Sequence, residues 1–198
     1  MRDAILWMIV SYLVGSIPTG YLVVRLVKKI DIRTIGSGGT GATNVRRVMG
    51  QNWAVFVTVV DMLKGALPLL VTATSAGTSP WLLSLSGFSA VMGHNYPLWL
   101  NFNGGKGVAT TYGVVFFFWP YESFAVALLS GAIWYAVMTS TRYVSLASIT
   151  SLLALPLFFW MLSAPLPYIL ISFVLSVFAI CRHRPNISRL SQGRENKV

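Results

Sequence analysis

Between residues 144 and 181 the chain carries no lysine, arginine, aspartate or glutamate, and similar apolar stretches recur along most of its 198 residues. About 20 apolar residues in a helix cross the ~30 Å hydrocarbon core of a bilayer, and within lipid only helices and closed barrels satisfy their own backbone groups. Charge is scarce throughout, at 10% of residues, where soluble domains carry about 25%. The 15 Lys/Arg against 5 Asp/Glu still leave a net charge of +10. A nucleic-acid binder would spread such an excess over a polar surface. With 55% apolar residues that surface is missing, so the cations read as markers of one membrane face and no nucleic-acid partner is expected. The single cysteine, Cys181, excludes intramolecular disulfides, and two histidines with five acids leave little material for a metal site. No metal and no cofactor is expected.

Apolar segments fall at 4–27, 52–73, 81–100, 108–119, 121–139, 144–162 and 168–181. The expected fold is an all-α membrane protein, a polytopic bundle of about seven transmembrane helices. Along that path, with the N-terminus outside, twelve of the fifteen Lys/Arg collect on one side, Arg2 stands alone on the other, and Arg25 and Lys64 lie within spans. The positive-inside bias makes the crowded side, and the C-terminus, cytoplasmic. The fourth and seventh segments are short and fit re-entrant elements as well, which would leave five or six crossings. The first segment is not read as a signal peptide, because Arg25, Lys28 and Lys29 follow its apolar stretch instead of preceding it. Gly15, Pro18 and Gly20 within it predict a kink and a close helix contact. The chain reads as one domain, 1–198, with a polar cytoplasmic tail from about 182 in which Glu195 is expected to be mobile.

Three donor-rich segments fall on the expected cytoplasmic face. The first, at 36–47, reads Gly-Ser-Gly-Gly-Thr-Gly-Ala-Thr-Asn-Val-Arg-Arg. Its glycines allow successive N–H groups to converge on an anion, Ser37, Thr40, Thr43 and Asn44 add donors, Arg46 and Arg47 add charge, and a helix starting near Val45 would point its positive end at the ligand. Gly36, Gly38 and Gly41 also fit a dinucleotide fingerprint, but no strand precedes them, and Ala42 stands where a Walker A loop needs lysine. The plain alternative is a flexible linker. In the second segment, Gly104, Gly105 and Gly107 bracket Lys106 just before a helix, an arrangement that suits phosphate or simply a tight turn. The third, at 182–190, holds His183, the one group there that titrates near neutral pH, and Asn186; it also reads as an ordinary membrane-face anchor. Together the three suggest one electropositive basin. Within the membrane, Asp61 and Lys64 are three apart on one helical face and read as a structural pair. His94 reads as a loop-holding residue.

Gly-Ser-Ile-Pro at 15–18, Gly-Ser-Gly at 36–38, Gly-Ala-Thr-Asn at 41–44, Asp61-x-x-Lys64-Gly65 with Pro68, Gly-Gly-Lys-Gly-Val-Ala-Thr at 104–110 and Arg-His-Arg-x-Asn-Ile at 182–187 resemble, in order, the pattern of the bacterial integral-membrane acyl-phosphate:glycerol-3-phosphate acyltransferases, the PlsY family. Gly39 departs from it, since the family commonly has Asn after Ser-Gly. The resemblance implies transfer of a fatty acyl group from acyl phosphate to the 1-hydroxyl of sn-glycerol 3-phosphate, giving lysophosphatidic acid and phosphate, the first acylation of phospholipid biosynthesis. It implies a multi-pass protein of the bacterial inner membrane whose active site faces the cytoplasm. By similarity Ser37, Lys106 and His183 are candidate catalytic residues. Gly38, Gly41, Thr43, Asn44, Arg47, Gly104, Gly105, Lys106, Gly107 and Asn186 are candidate phosphate-binding residues.

The residue types suit that chemistry independently. Both reactants carry phosphate and need cations and N–H donors, while an acyl tail needs an apolar groove open to membrane lipid. Phosphate is a good leaving group, so no covalent enzyme intermediate is required. A Ser-His-Asp triad is disfavoured, because Asp61 is occupied by Lys64. The proton acceptor is expected to be a donor phosphate oxygen, with His183 as the protein alternative. A small-anion transporter and a lipid-binding anchor are the rivals; the first usually shows related halves and polar groups at the midplane, and the second leaves both glycine loops unexplained.

Overall fold

A computed structural model describes residues 2–118 and 122–198, with side chains from Ala4 onward. All regular structure among the described residues is helical, and the chain divides into two compact units, Met1–Val114 and Val115–Val198.

In the first unit, α1 (Arg2–Gly15) and α2 (Thr19–Lys28) form one interrupted run. The interruption lies at Pro18, which has no amide to donate, and the Ser16 N–H closes α1 on the Tyr12 carbonyl at 2.8 Å. Gly50, at φ 90, separates α3 (Ala42–Met49) from α4 (Gln51–Ala76). Helix α5 (Pro80–Asn95) returns after a connection of three residues, so α4 and α5 are antiparallel, and α1 packs on both. The α1–α5 contact is a meeting of backbones. A Cβ at Gly15 would overlap the Ala90 carbonyl, and one at Gly93 the Tyr12 carbonyl, the close approach that small residues permit between membrane helices. The hydroxyl of Tyr12 donates to the Tyr96 carbonyl at 2.8 Å beside it. Helix α6 (Val108–Phe116) starts against α4, with Gly65 on the Thr110 carbonyl and Gly113 on the Met62 carbonyl.

The second unit holds α7 (Glu122–Thr141), α8 (Val144–Met161), α9 (Leu166–Arg182) and α10 (Arg184–Ser191), with α8 packed on both α7 and α9. Serines join these helices. Ser130 Oγ donates to the Ser151 carbonyl at 2.7 Å and Ser176 Oγ to the Leu152 carbonyl at 2.6 Å. Phe118 stacks on Tyr168 with ring centroids 4.8 Å apart, and Phe159 closes the cluster. Many large apolar side chains, among them Leu6, Leu67, Leu129 and Phe173, instead face outward, as they do where lipid is the solvent.

Ala4–Lys28, Gln51–Ala76, Glu122–Thr141 and Val144–Met161 are long and apolar enough to cross a membrane, and α9 with α10, bent by 59°, is a fifth candidate if taken as one span. Among the described residues four to five elements are thus membrane-capable by length and composition, where about seven crossings were expected. The difference lies in helix length. The segment expected at 108–119 is helical only to Phe116, nine residues, or about 13 Å. Helix α5 has 16 residues, or about 24 Å, because its helix ends at Asn95 instead of running to residue 100. The expected span ends at Trp119 and Tyr121 lie outside the described residues.

Candidate functional site

The first glycine loop rests on a small apolar core of Val24, Ile32, Val45 and Val57. Asp31 opens it by accepting the Arg33 N–H at 2.9 Å and pairing with the Arg33 guanidinium at 2.7 Å. The hydrogen-bonded guanidinium holds the Asp31 carboxyl below the usual carboxylate range. Gly36 and Gly38 take left-handed conformations at φ 63 and 69, which an L side chain resists. The turn is organised from within by Asn44. Its buried amide donates to the carbonyls of Ile32, Ile35 and Gly39 at 3.2, 2.9 and 3.0 Å and accepts the Ser37 N–H at 3.1 Å. Gly38 donates its N–H to the Ile35 carbonyl at 3.1 Å. Helix α3 begins at Ala42 with Gly41 as its N-cap, three residues before the expected start near Val45. Thr43 and Asn44 therefore sit in the first turn of a helix. Ser37, Arg46 and Arg47 are exposed, and Cδ of Arg47 lies over Gly36.

The second glycine loop is bound to the end of α5. Gly104 and Gly105 donate their N–H groups to the carbonyls of Asn95 and His94 at 3.2 and 3.1 Å. A Cβ at Gly105 would overlap Nε2 of His94, and Gly107, at φ 79, leaves no room for a Cβ beside Asn95. Lys106 is half-buried between these glycines. The amides expected to stay bare for an anion at Gly38, Gly104 and Gly105 are thus committed to carbonyls of the chain. These glycines shape the loops and let backbone approach closely, with the exposed side chains of Ser37 and Arg47 beside the first loop.

Beneath the loops, Asp61 Oδ1 and Lys64 Nζ form a buried ion pair at 2.8 Å, as the spacing predicts. Lys64 also donates to the Ile17 carbonyl at 2.8 Å, and His94 Nδ1 lies 3.8 Å from Asp61 Oδ1.

In the second unit His183 is the junction between α9 and α10 and is only 2% exposed. Its Nδ1 lies 2.7 Å from the Ala179 carbonyl. A carbonyl only accepts, so Nδ1 carries the proton of this bond. Asn186 is buried on the next turn and donates to Glu195 Oε1. Glu195 also pairs with Arg189 Nε at 2.6 Å and accepts the Ser145 hydroxyl at 2.9 Å, while the Val198 N–H reaches the Arg142 carbonyl. The tail expected to be mobile is therefore docked on α8 and α10. Its acid is surrounded by donors, and burial, which raises the carboxyl pKa, is outweighed by the bonds from Asn186, Arg189 and Ser145, leaving it below the usual range. Glu195 was the residue least legible beforehand. The signal was present in a lone acid among the arginines that follow Asn186.

Comparison with known proteins covers nearly the whole chain. The family model for glycerol-3-phosphate acyltransferase matches residues 5–193. A glycerol-3-phosphate acyltransferase of Aquifex aeolicus is 42% identical over 194 residues, 98% of each chain. One of Gloeobacter violaceus is 43% identical over 192 residues, 95% of this chain and 91% of its own. Among solved structures, the glycerol 3-phosphate form of PlsY, an integral membrane glycerol 3-phosphate acyltransferase, superposes with a TM-score of 0.92 at 42% identity, covering 98% of this chain and 95% of that one. Its lysophosphatidic acid form gives 0.88 at 41%.

Proposed function

We propose, from the premise that this chain belongs to the PlsY family of glycerol-3-phosphate acyltransferases, that acyl phosphate is its donor and lysophosphatidic acid and inorganic phosphate its products. Acyltransfer and an integral membrane protein built of several apolar helices follow from the family and the fold. The finer reading adds seven crossings with the N-terminus outside, a bacterial inner membrane, a single acyltransferase domain over 1–198, and chemistry at the cytoplasmic surface.

The observation that carries this reading is the placing of both glycine loops at one end of the α4–α5 hairpin. The first loop leads through α3 into the start of α4, and the second leaves the end of α5. Two phosphate-bearing reactants call for such a concentration of cations and close backbone approach. In the proposed reaction the 1-hydroxyl oxygen of glycerol 3-phosphate attacks the acyl carbonyl carbon and the bond from that carbon to the phosphate oxygen breaks. The hydroxyl proton passes to an oxygen of the departing phosphate, whose pKa of about 6 suits it to receive one. Ser37, Arg47 and Lys106 hold phosphate and offset the negative charge that builds as the tetrahedral centre forms. Thr43 lines the floor, Asn44 sets the loop, Gly38 and Gly41 shape the first phosphate-binding turn, and Gly104, Gly105 and Gly107 serve phosphate by letting the second loop pack on α5 around Lys106. His183 and Asn186, at the junction of α9 and α10, are assigned a substrate-contact role on the family resemblance alone. Support for the substrates comes from relatives whose structures are described as glycerol 3-phosphate and lysophosphatidic acid forms.

Purified protein in lipid, supplied with acyl phosphate and glycerol 3-phosphate, is expected to release lysophosphatidic acid and phosphate in equal amounts. No product would refute the reading. His183→Ala tests the proton path: turnover lost at saturating substrate with affinity kept would make His183 the base and remove the donor phosphate from that role.

A further inference from the structure

A buried pair that served only to neutralise itself would close on itself. Asp61 and Lys64 do not, since each also reaches toward a different glycine loop. Lys64 Nζ donates at 2.8 Å to the carbonyl of Ile17, in the break between α1 and α2. Three residues on, Gly20 packs so closely on the Thr40 carbonyl that a Cβ there would overlap it, and Thr40 belongs to the first loop. Asp61 Oδ1 lies 3.8 Å from His94 Nδ1. The opposite edge of that ring, at Nε2, fills the space over Gly105, the neighbour of Lys106. Contacts thus run from the first loop through Lys64, Asp61 and His94 to the second.

We propose that Asp61, Lys64 and His94 are positioning residues that set Lys106 and the first glycine loop at a fixed separation for phosphate; the proposal rests on the acyltransferase reading above. The physical warrant is energetic. A buried ion pair contributes little net stability, and an uncharged replacement of similar volume often folds as well or better, whereas removing one partner strands a charge. Keeping the pair therefore calls for a reason beyond stability, and the fixed placement of two loops supplies one.

The test is the paired variant Asp61→Asn/Lys64→Met, which leaves no stranded charge, measured beside His94→Leu, His94→Gln and Lys106→Ala in full-length protein in lipid. Expected is a paired variant with a melting temperature close to the parent's and a KM for glycerol 3-phosphate raised at least tenfold. His94→Leu should show a similar rise, and His94→Gln, which keeps a polar side chain toward Asp61, should recover most of it. Kinetics within twofold of the parent, a change in kcat alone, or a change confined to the melting temperature would overturn the proposal. Should the paired variant not fold, the two His94 variants decide by the same readings. If Lys106→Ala loses activity while the network variants stay silent, the network has no such role and the acyltransferase reading stands. If the parent forms no lysophosphatidic acid, the acyltransferase reading fails and the positioning role falls with it.

Discussion

The side-chain amide of Asn44 donates to three carbonyls and accepts one N–H, all within the turn it closes. Asparagine is suited to this because it carries donor and acceptor on one short group. Asn44→Ala should lower stability by about 1–3 kcal/mol through carbonyls left unpaired, and Asn44→Asp should be worse, since a carboxylate would face carbonyls it cannot bond. Thermal unfolding of both variants checks the order. Lys106→Ala should raise KM for both phosphate substrates, and unchanged kinetics would remove the second loop from the site. Glu195 makes a pH prediction. Its carboxyl is held below its ordinary value, so the fold favours the ionised form. That contribution is complete above the unfolded value of about 4 and disappears as pH falls through the lower folded value. Glu195→Gln should therefore melt earlier at neutral pH and show a flatter loss of stability on acidification, read as melting temperature against pH.

Among the helices, glycine marks where backbones touch. Gly15, Gly65, Gly93 and Gly113 each lie against a carbonyl of a neighbouring helix, while Gly131 has nothing near the position of a Cβ. Gly131→Ala should be neutral, or stabilising by about 0.5–1 kcal/mol through helix propensity. Gly93→Ala should force α1 off α5 and abolish the well-folded protein. Unfolding curves for the two variants in the same detergent test the contrast, and equal behaviour would show that the α1–α5 contact has slack. The short elements obey the same physics. Helix α6 meets α4 where Thr110 lies against Gly65 and Gly113 against Met62, so its first turns are held by contact with α4.

For the whole molecule the proposed sidedness is open to direct measurement. In a Cys181→Ser background, single cysteines at Ser37 and Gly193 should react with a membrane-impermeant thiol reagent only after the cells are opened, and one at Thr78 should react in intact cells. Ser37 and Thr78 labelled from one side would overturn the proposed topology. Membrane residence, the helical class and the family were legible in the chain itself, because apolar runs, cation asymmetry and short glycine motifs are local and survive without coordinates. Helix ends were legible only in part. The stop at Phe116 and the α3 start at Ala42 fall inside stretches whose apolar or donor-rich character runs on past them, so composition does not mark them.

Composition and spacing alone determined that this protein lives in a bilayer and that Asp61 faces Lys64. Those properties depend on residues a few positions apart, or on sums over the chain. Tertiary structure decided which groups remain available to a ligand. The amides of Gly38, Gly104 and Gly105 are taken by carbonyls, Asn44 is turned inward, Lys64 reaches Ile17, and Glu195 is docked beneath Asn186. Hydrogen-bond capacity is set by the residue type, but its use depends on which distant atom lies about 3 Å away, and that distance exists only once the chain has folded.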